Sequence, residues 1–489
     1  MSDLAAAGMQ PDDARARIAI DLGAQSCRVS LLRWLSGKPR IHLVHRVTNG
    51  PVHANGALRW PFEKIYVELE EGLRKAALLT PEGIASIAVD GWAVDYVRLD
   101  QNGSPLAEPY CYRDERTVAA KEKADKLFDE SWMFRHTGAQ PLRINTLYQL
   151  LADRDEGVDA RALWVNLPEY VLYRLGGCRV AEYTNATHTG LVDVATGNWS
   201  SELQQRLGLP AESFPPIAPT GAVIGKLSGA LAALAAYRDT QLIAPACHDT
   251  ASAIASISVS HKNTAYISSG TWSLVGTCVD APITTPQAEA ARFTNQGAAG
   301  GGFCFHTNVN GLWLLQQCME SWERTGRLWT TADLVEQADQ CEDVTELVNV
   351  DAPELLMDGD MPALLNRQLT LHGWAPIEDR EGNEPRFACL IFESLARRYA
   401  EVIHDLEGLL GKRIERIHVL GGGSRNHALT RLTEKYAGVP VEAGNVEGST
   451  IGNFAVQLAT ADANEGKLKR SEIRAWAVRL SEAGTKNAG

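Results

Sequence analysis

A chain of 489 residues is too long for one ordinary domain and calls for roughly two to four. Its 45% hydrophobic content fills substantial cores, and 22% charged residues is ordinary for a globular protein. The 47 basic and 60 acidic side chains leave a formal charge of −13, which disfavours nonspecific nucleic-acid and anionic-membrane binding but allows a local basic pocket.

The first seventeen residues lack an apolar core long enough for a signal peptide. The apolar stretch Leu227–Ala236 reaches about half the length of a membrane span. Both point to a cytoplasmic protein. Residues 1–16 and the tail after Ala483 read as disordered ends. Nine cysteines (27, 111, 178, 247, 278, 304, 318, 341 and 389) are scattered without a C-x-x-C pair, which suits reduced thiols better than a disulfide framework or a zinc cage.

The first ordered element is Ile18–Asp21; a Leu-Gly turn and a second apolar run, Val29–Leu35, complete a hairpin. Phe62, Ile65, Tyr66, Leu69, Leu73 and Ala76 recur at helical spacing and predict an amphipathic helix. A strand at Ile84–Val89 runs into Asp90-Gly91-Trp92, and another follows at Val94–Leu99. The order is that of an α/β fold with a sheet core. Pro210 to Pro219 reads as a surface loop. After a helical run at Thr250–Ser256, a new strand, Thr264–Ser268, ends in Ser269-Gly270-Thr271 and leads to Trp272–Cys278. A third strand, Ile414–Leu420, ends in Gly421-Gly422-Gly423 and opens a helix at Ser424. Strand, small polar turn, strand thus occurs twice, which predicts two related α/β domains, 17–257 and 258–489, with a cleft between them.

Three turns are candidates for binding phosphate. Asp21-Leu22-Gly23-Ala24-Gln25-Ser26 offers backbone N–H groups and a carboxylate that can hold a magnesium ion through water, though taken alone it reads rather as a plain hairpin with an Asp turn. Ile267-Ser268-Ser269-Gly270-Thr271 repeats the pattern, and two such turns facing each other can clamp a triphosphate. Gly421-Gly422-Gly423 allows close backbone approach but fits neither the Rossmann nor the P-loop spacing. Asp249, before a helix, is either an N-cap or a carboxylate base at the domain junction. The histidines show no transition-metal spacing. Trp92, Trp164, Trp272, Trp313 and Trp374 sit in apolar context and read as core.

Together these pieces resemble the FGGY carbohydrate kinases, and within them most the rhamnulokinases, from Ile18 to about Ala459. The resemblance is carried by Asp21-Leu22-Gly23-Ala24, Asn49-Gly50-Pro51 and Tyr112-Arg113-Asp114-Glu115-Arg116-Thr117 in the first half. In the second half it is carried by His248-Asp249-Thr250, Ser269 to Leu274, Phe293-Thr294-Asn295, Gly311 to Gln316 and Gly421 to Asn426. It implies two actin-like (ribonuclease H-like) domains, with sugar on the first and ATP in the cleft against the second. By motif match Asp249 is the catalytic base, His248 and Thr250 flank the sugar, and Asn308 and Ala93 contact it. Ala24, Gln25, Ser26, Cys27 and Arg28 form the first phosphate loop; Thr271, Gln316, Gly421, Gly422 and Gly423 meet the nucleotide; Asp21 lies near Mg²⁺. Two positions depart from the family pattern: Ala93 replaces a glycine against the sugar, and Cys27 replaces a glycine before Arg28, which restricts φ there.

The resulting expectation is an ATP- and Mg²⁺-dependent kinase of a ketose C1 hydroxyl, L-rhamnulose first, acting as monomer or homodimer without nucleic-acid or membrane partners. The alternatives are another ketose or polyol, such as L-fuculose, L-xylulose or D-ribulose, or a non-catalytic actin-like sugar sensor. A sensor needs no base, so Asp249 beside both phosphate turns favours catalysis.

Overall fold

The computed structural model describes residues 9–258, 263–339, 344–356, 359–463, 468–481 and 486–487. The sheet strands in chain order are β1 Ala16–Leu22, β2 Ser26–Leu35, β3 Lys38–Thr48, β4 Ile84–Gly91, β5 Ala222–Lys226 and β6 Gln241–Ala244; then β7 Thr264–Ser269, β8 Trp272–Val279, β9 Thr294–Gly297, β10 Phe303–Asn310, β11 Arg416–Leu420, β12 Val441–Ala443 and β13 Lys486–Asn487. The first sheet has the order β5-β6-β4-β1-β2-β3-β13 and the second β9-β10-β8-β7-β11-β12. In each, three antiparallel strands (β1-β2-β3, β8 between β7 and β10) are followed by strands that run parallel on the far side of the first: β4 and β6 beside β1, β11 and β12 beside β7. The twofold echo is therefore a repeat of one mixed-sheet topology, actin-like in both halves.

Central strands read as continuous apolar runs because both faces are covered; all of β1 and β4 is buried. Helix α1, Phe62–Leu79, buries the six apolar positions that predicted it. The other helices that place the site are α2 Asp249–Ala255, α3 Trp313–Glu323, α4 Glu384–Leu410, α5 His427–Ala437, α6 Gly448–Asp462 and α7 Arg470–Ser481. Among the described residues no helix is long and apolar enough to cross a membrane.

The two sheets meet at α2 and α6. A Cβ on Gly452 would lie 1.7 Å from the Ser252 carbonyl oxygen, so only a glycine lets the helices approach this closely. Although it comes late in the chain, α6 is tied to the first sheet. Gln457 Nε2 donates to the Ile18 carbonyl (2.9 Å), its Oε1 accepts from Ser86 Oγ (2.6 Å), and Asn453 Nδ2 donates to Asp90 (2.6 Å). Ile451, Phe454, Leu458 and Trp476 share a core with Ala19, Leu32 and Ile41. A division at 257/258 into contiguous halves is thus crossed by α6, α7 and β13.

Several sequence expectations need correction. Cys389 is disulfide-bonded, while Cys27, Cys111, Cys178, Cys247, Cys304 and Cys318 are not. Cys341 lies outside the described residues. The Pro210–Pro219 loop contributes a short strand, Ile217–Ala218, paired with Ala181–Glu182, and buries Phe214. No α-helix starts at Ser424: Gly422–Arg425 is a 3₁₀ turn, and α5 starts at His427 because Asn426 Oδ1 accepts the Leu429 N–H. The leading segment is ordered from residue 9, with Asp13 paired to Arg15 at 2.6 Å; residues 1–8 and most of the tail after Ala483 lie outside the described residues.

Replacing Gly452 with Ala should force α2 and α6 apart and lower stability by roughly 1–3 kcal/mol or more. Denaturant midpoints check this, and an unchanged midpoint would deny the close crossing.

Candidate active site

The turns that end the central strands face one another across a cleft of ≈ 1500 Å³. In the first, Gly23 N–H donates to Ser26 O (3.2 Å), and Asn49 braces it with Nδ2 on Gly23 O (3.0 Å) and N–H on Gln25 O (2.8 Å). Ala24, Gln25, Ser26 and Arg28 line the cleft. Cys27 does not. It sits in regular strand opposite Leu22, its thiol is buried toward Gly23 O, and burial pushes that thiol up to about 12. The glycine-to-cysteine departure therefore leaves the turn undistorted.

In the second turn Gly270 N–H donates to Trp272 O (2.9 Å), while Gly270 O and Thr271 O accept from Leu312 and Trp313 N–H (3.0 and 3.2 Å). Those bonds start α3 against the turn and bring Gln316 to the cleft, where it accepts from Gln25 Nε2 of the opposite turn (3.3 Å). The third turn packs on the second: Gly421 has φ 77°, and a Cβ on Gly423 would meet Ser269 Oγ at 2.0 Å. Gly422 has nothing within 4 Å of its Cβ position and faces the cleft.

Asp249 opens α2, and the loop before it is pinned from below. Cys247 N–H donates to buried Glu182 (2.9 Å), His248 N–H to Thr184 Oγ1 (3.2 Å), and Gly91 N–H to Cys247 O (2.9 Å). Burial first, and the charge of Asp21 second, push the Asp249 carboxyl up to about 7. Asp90, fully buried beside Asp21 in the parallel register, is raised by the same two causes. Arg28 answers this cluster: it bonds Asp21 at 2.8 Å and pairs with Glu447 on its other side, and the Asp21 charge raises its own pKa. Ser449 Oγ, on the first turn of α6, also donates to Asp21 (2.7 Å). Among the described residues no group of three or more His, Cys, Asp and Glu side chains is arranged to hold a metal ion by itself. One buried Asp90 oxygen lacks a partner, however, and the carboxylates outnumber the guanidinium. Such a donor set fits a divalent cation held mostly by water and phosphate oxygens.

Ala93, His248, Thr250 and Asn308 also line the cleft, the histidine and threonine on either side of Asp249. Ala93 lies on a turn held by Asp95, whose Oδ2 accepts both the Trp60 and Trp92 indole N–H groups (2.6 and 3.0 Å). Val94 has φ 70°, a strained conformation for a β-branched residue; its carbonyl accepts from Thr146 Oγ1 (2.7 Å) and Gln149 Nε2 (3.2 Å). Burial holds His248 neutral, with its pKa down to about 3, so its 3.4 Å approach to Asp249 is a contact of a neutral imidazole.

All the candidate residues except Cys27 thus reach one cleft. Sequence reading missed Glu182 and Thr184 under the base loop, His188 and Gln296 on the cleft wall, and Asp90. The polar run Thr187-His188-Thr189 between apolar stretches was the available signal. The tryptophans also need correction. Trp92 and Trp164 are buried, but Trp313 lines the cleft with the Arg113 guanidinium 4.7 Å over its ring, and Trp272 and Trp374 are exposed.

The raised Asp249 pKa also makes a stability prediction. Its ordinary value is 3.8 and its folded value about 7, so between them the folded state binds the extra proton and stability falls as pH rises. The penalty is complete above about pH 7. Asp249→Asn should therefore melt higher than the wild type at pH 8, with the difference shrinking toward pH 4. Equal melting temperatures at pH 8 would show the carboxylate is not desolvated.

Two models of one protein family match this chain. Residues 16–256 match the N-terminal domain of the FGGY family of carbohydrate kinases, and residues 265–461 its C-terminal domain. The chain is 36% identical over 445 residues to a rhamnulokinase from Bacteroides thetaiotaomicron, covering 90% of each protein. A rhamnulokinase from Yersinia pestis is 35% identical over 448 residues, 90% of this chain and 89% of that one. Among solved structures, gluconate kinase from Lactobacillus acidophilus superposes with a TM-score of 0.75 at 19% identity, covering 94% of this chain and 91% of that one. A ligand-bound xylulose kinase from the same organism gives 0.74 at 19% identity, with the same coverage.

Proposed function

The chain belongs to the FGGY family of carbohydrate kinases, ATP-dependent sugar phosphotransferases, and from that premise we propose that it transfers the γ-phosphoryl group of ATP to the C1 hydroxyl of L-rhamnulose. The choice of sugar is supported by likeness to proteins named rhamnulokinase over nine-tenths of the chain. The chemistry is supported by one observation above all, the Asp249 carboxyl poised near 7 on the cleft between the facing phosphate turns.

In this reading Asp249 takes the C1 hydroxyl proton as the oxygen forms its bond to the γ-phosphorus. The bond from phosphorus to the β–γ bridging oxygen breaks, and ADP leaves. A base with pKa near 7 is half ionised at neutral pH and strong enough to accept that proton. Backbone N–H groups of Ala24 and Gln25 in the first turn and of Thr271 in the second are the ones left to meet the charge that grows on the transferring group. Mg²⁺, when bound, supplies further charge neutralisation on the phosphates, with Asp21 and Asp90 the side chains that would hold it through water. Gln316 and Gly421–Gly423 meet the nucleotide, while Ala93, His248, Thr250 and Asn308 meet the sugar. Gln25 and Gln316 join the two turns by one hydrogen bond, and further closure of the domains on the substrates would expel water that could otherwise accept the phosphoryl group.

A coupled ADP-release assay over L-rhamnulose, L-fuculose, L-xylulose and D-ribulose decides the sugar, and ADP release with none of these ketoses would leave a sensor. Asp249→Asn should lower kcat by about 10² or more while sugar binding survives, and wild-type kcat/KM should fall as pH drops through about 7. Near-normal turnover in that variant would remove Asp249 as the base.

Gly422→Val has room to fold, because nothing lies near its Cβ position. It should raise the KM for ATP much more than that for sugar. A rise confined to the sugar KM would assign the turn to another site.

A further inference from the structure

Beyond His248, the cleft wall carries two buried polar atoms with no hydrogen-bond partner among the described residues, His188 Nε2 and Gln296 Oε1. The two side chains bond each other, Gln296 Nε2 lying 2.9 Å from His188 Nδ1. They come from opposite halves of the chain, His188 from the helical turn Thr187–Thr189 and Gln296 from β9. Next to them Gly297 N–H donates to Thr187 Oγ1 at 2.7 Å and fixes the pairing across the seam. The His188 ring lies 3.8 Å from that of His248, which adjoins Asp249. A continuous wall therefore runs from the carboxylate to the His188–Gln296 pair.

What the pair offers follows from its internal bond. With the amide N–H on Nδ1, the free groups are an Nε2–H donor and the Oε1 acceptor. With the amide turned over, Nδ1–H donates to Oε1, leaving an Nε2 acceptor and an amide donor. Either arrangement presents one donor beside one acceptor. Burial holds His188 neutral, which removes the state with two ring donors. An anion wants donors only and a cation acceptors only. Adjacent hydroxyl groups, each both donor and acceptor, satisfy the pair in either arrangement.

Building on the sugar-kinase reading, we infer that His188 and Gln296 form one specificity-determining unit that reads two adjacent secondary hydroxyls of the ketose, away from the carbon that is phosphorylated. In L-rhamnulose these hydroxyls are on C3, C4 and C5, so every adjacent pair includes C4. The C4 epimer, L-fuculose, should therefore be the sugar the unit rejects.

The test measures dissociation constants for both epimers by calorimetry, and kcat/KM for both at saturating ATP. The proteins are the wild type, His188→Phe, Gln296→Met and the double variant. The wild type should prefer L-rhamnulose. Each single change should narrow that preference by about 10-fold or more, and the double variant should narrow it little further, because either change breaks the same unit. The KM for ATP should stay fixed, which a merely structural defect would not allow. The two substitutions lie in different halves, so if one fails to fold the other decides. Sugar binding with this pattern but no ADP release would sink the kinase reading and keep this one. Turnover with an unchanged epimer preference would sink this one and keep the kinase. A wild type that binds neither sugar would remove both.

Discussion

Negative charge in a confined space governs this molecule. Asp21 and Asp90 end neighbouring parallel strands in register, Asp249 begins a helix against them, and the charge of Asp21 adds to burial in raising the cost of ionising Asp90 and Asp249. Near neutral pH such a cluster stands only if its surroundings supply hydrogen bonds and positive charge, and the start of α6 is built for that task. Ser449 bonds Asp21, Asn453 bonds Asp90, and Glu447 steadies the Arg28 guanidinium that pairs with Asp21. Compensation remains partial, so burial and the Asp21 charge leave Asp249 with a high proton affinity.

A second constraint is the rigidity of the loop that presents Asp249. Glu182 is buried and accepts from Thr184 N–H (3.0 Å), Thr220 Oγ1 (2.6 Å) and Cys247 N–H (2.9 Å), so it couples three segments distant in sequence. Beside it, Asp95 does the same for the strained Ala93–Val94 turn through two indoles and Gln149. Both cleft-lining segments thus rest on buried carboxylates, Glu182 and Asp95, that fix their backbone.

How much of this the sequence disclosed depends on the range of the interaction. The hairpins, the α1 stripe and the small-residue turns are local patterns, and each leaves a period or a turn signature in the chain. The apolar runs on either side of a Leu-Gly turn predicted the pairing of β1 and β2, and Gly23 marks that turn because a Cβ there would crowd the Ser26 carbonyl oxygen. Gly452, Asn453 and Gln457 carry no such mark. Their partners, Ser252, Asp90 and Ile18, lie hundreds of residues away, and a small or amide residue within a helix looks like any exposed position. Cys27 misled for a related reason: its motif neighbours suggested a loop, whereas its pairing with Leu22 makes it strand. Trp272 and Trp313 look like core by context, yet they line the cleft wall because the strand and helix they begin open there.

The placement of α6 bears on how the chain is made. During synthesis the first sheet emerges with the Ile18 carbonyl, Ser86 and Asp90 facing a surface whose partners, Asn453 and Gln457, have not yet been translated. Until about nine-tenths of the polypeptide has left the ribosome, these groups are solvated or unpaired, and the apolar patch of Ala19, Leu32 and Ile41 has no cover. The N-terminal half is therefore a nascent chain that cannot finish alone, one whose exposed face invites chaperone capture until the last helices dock.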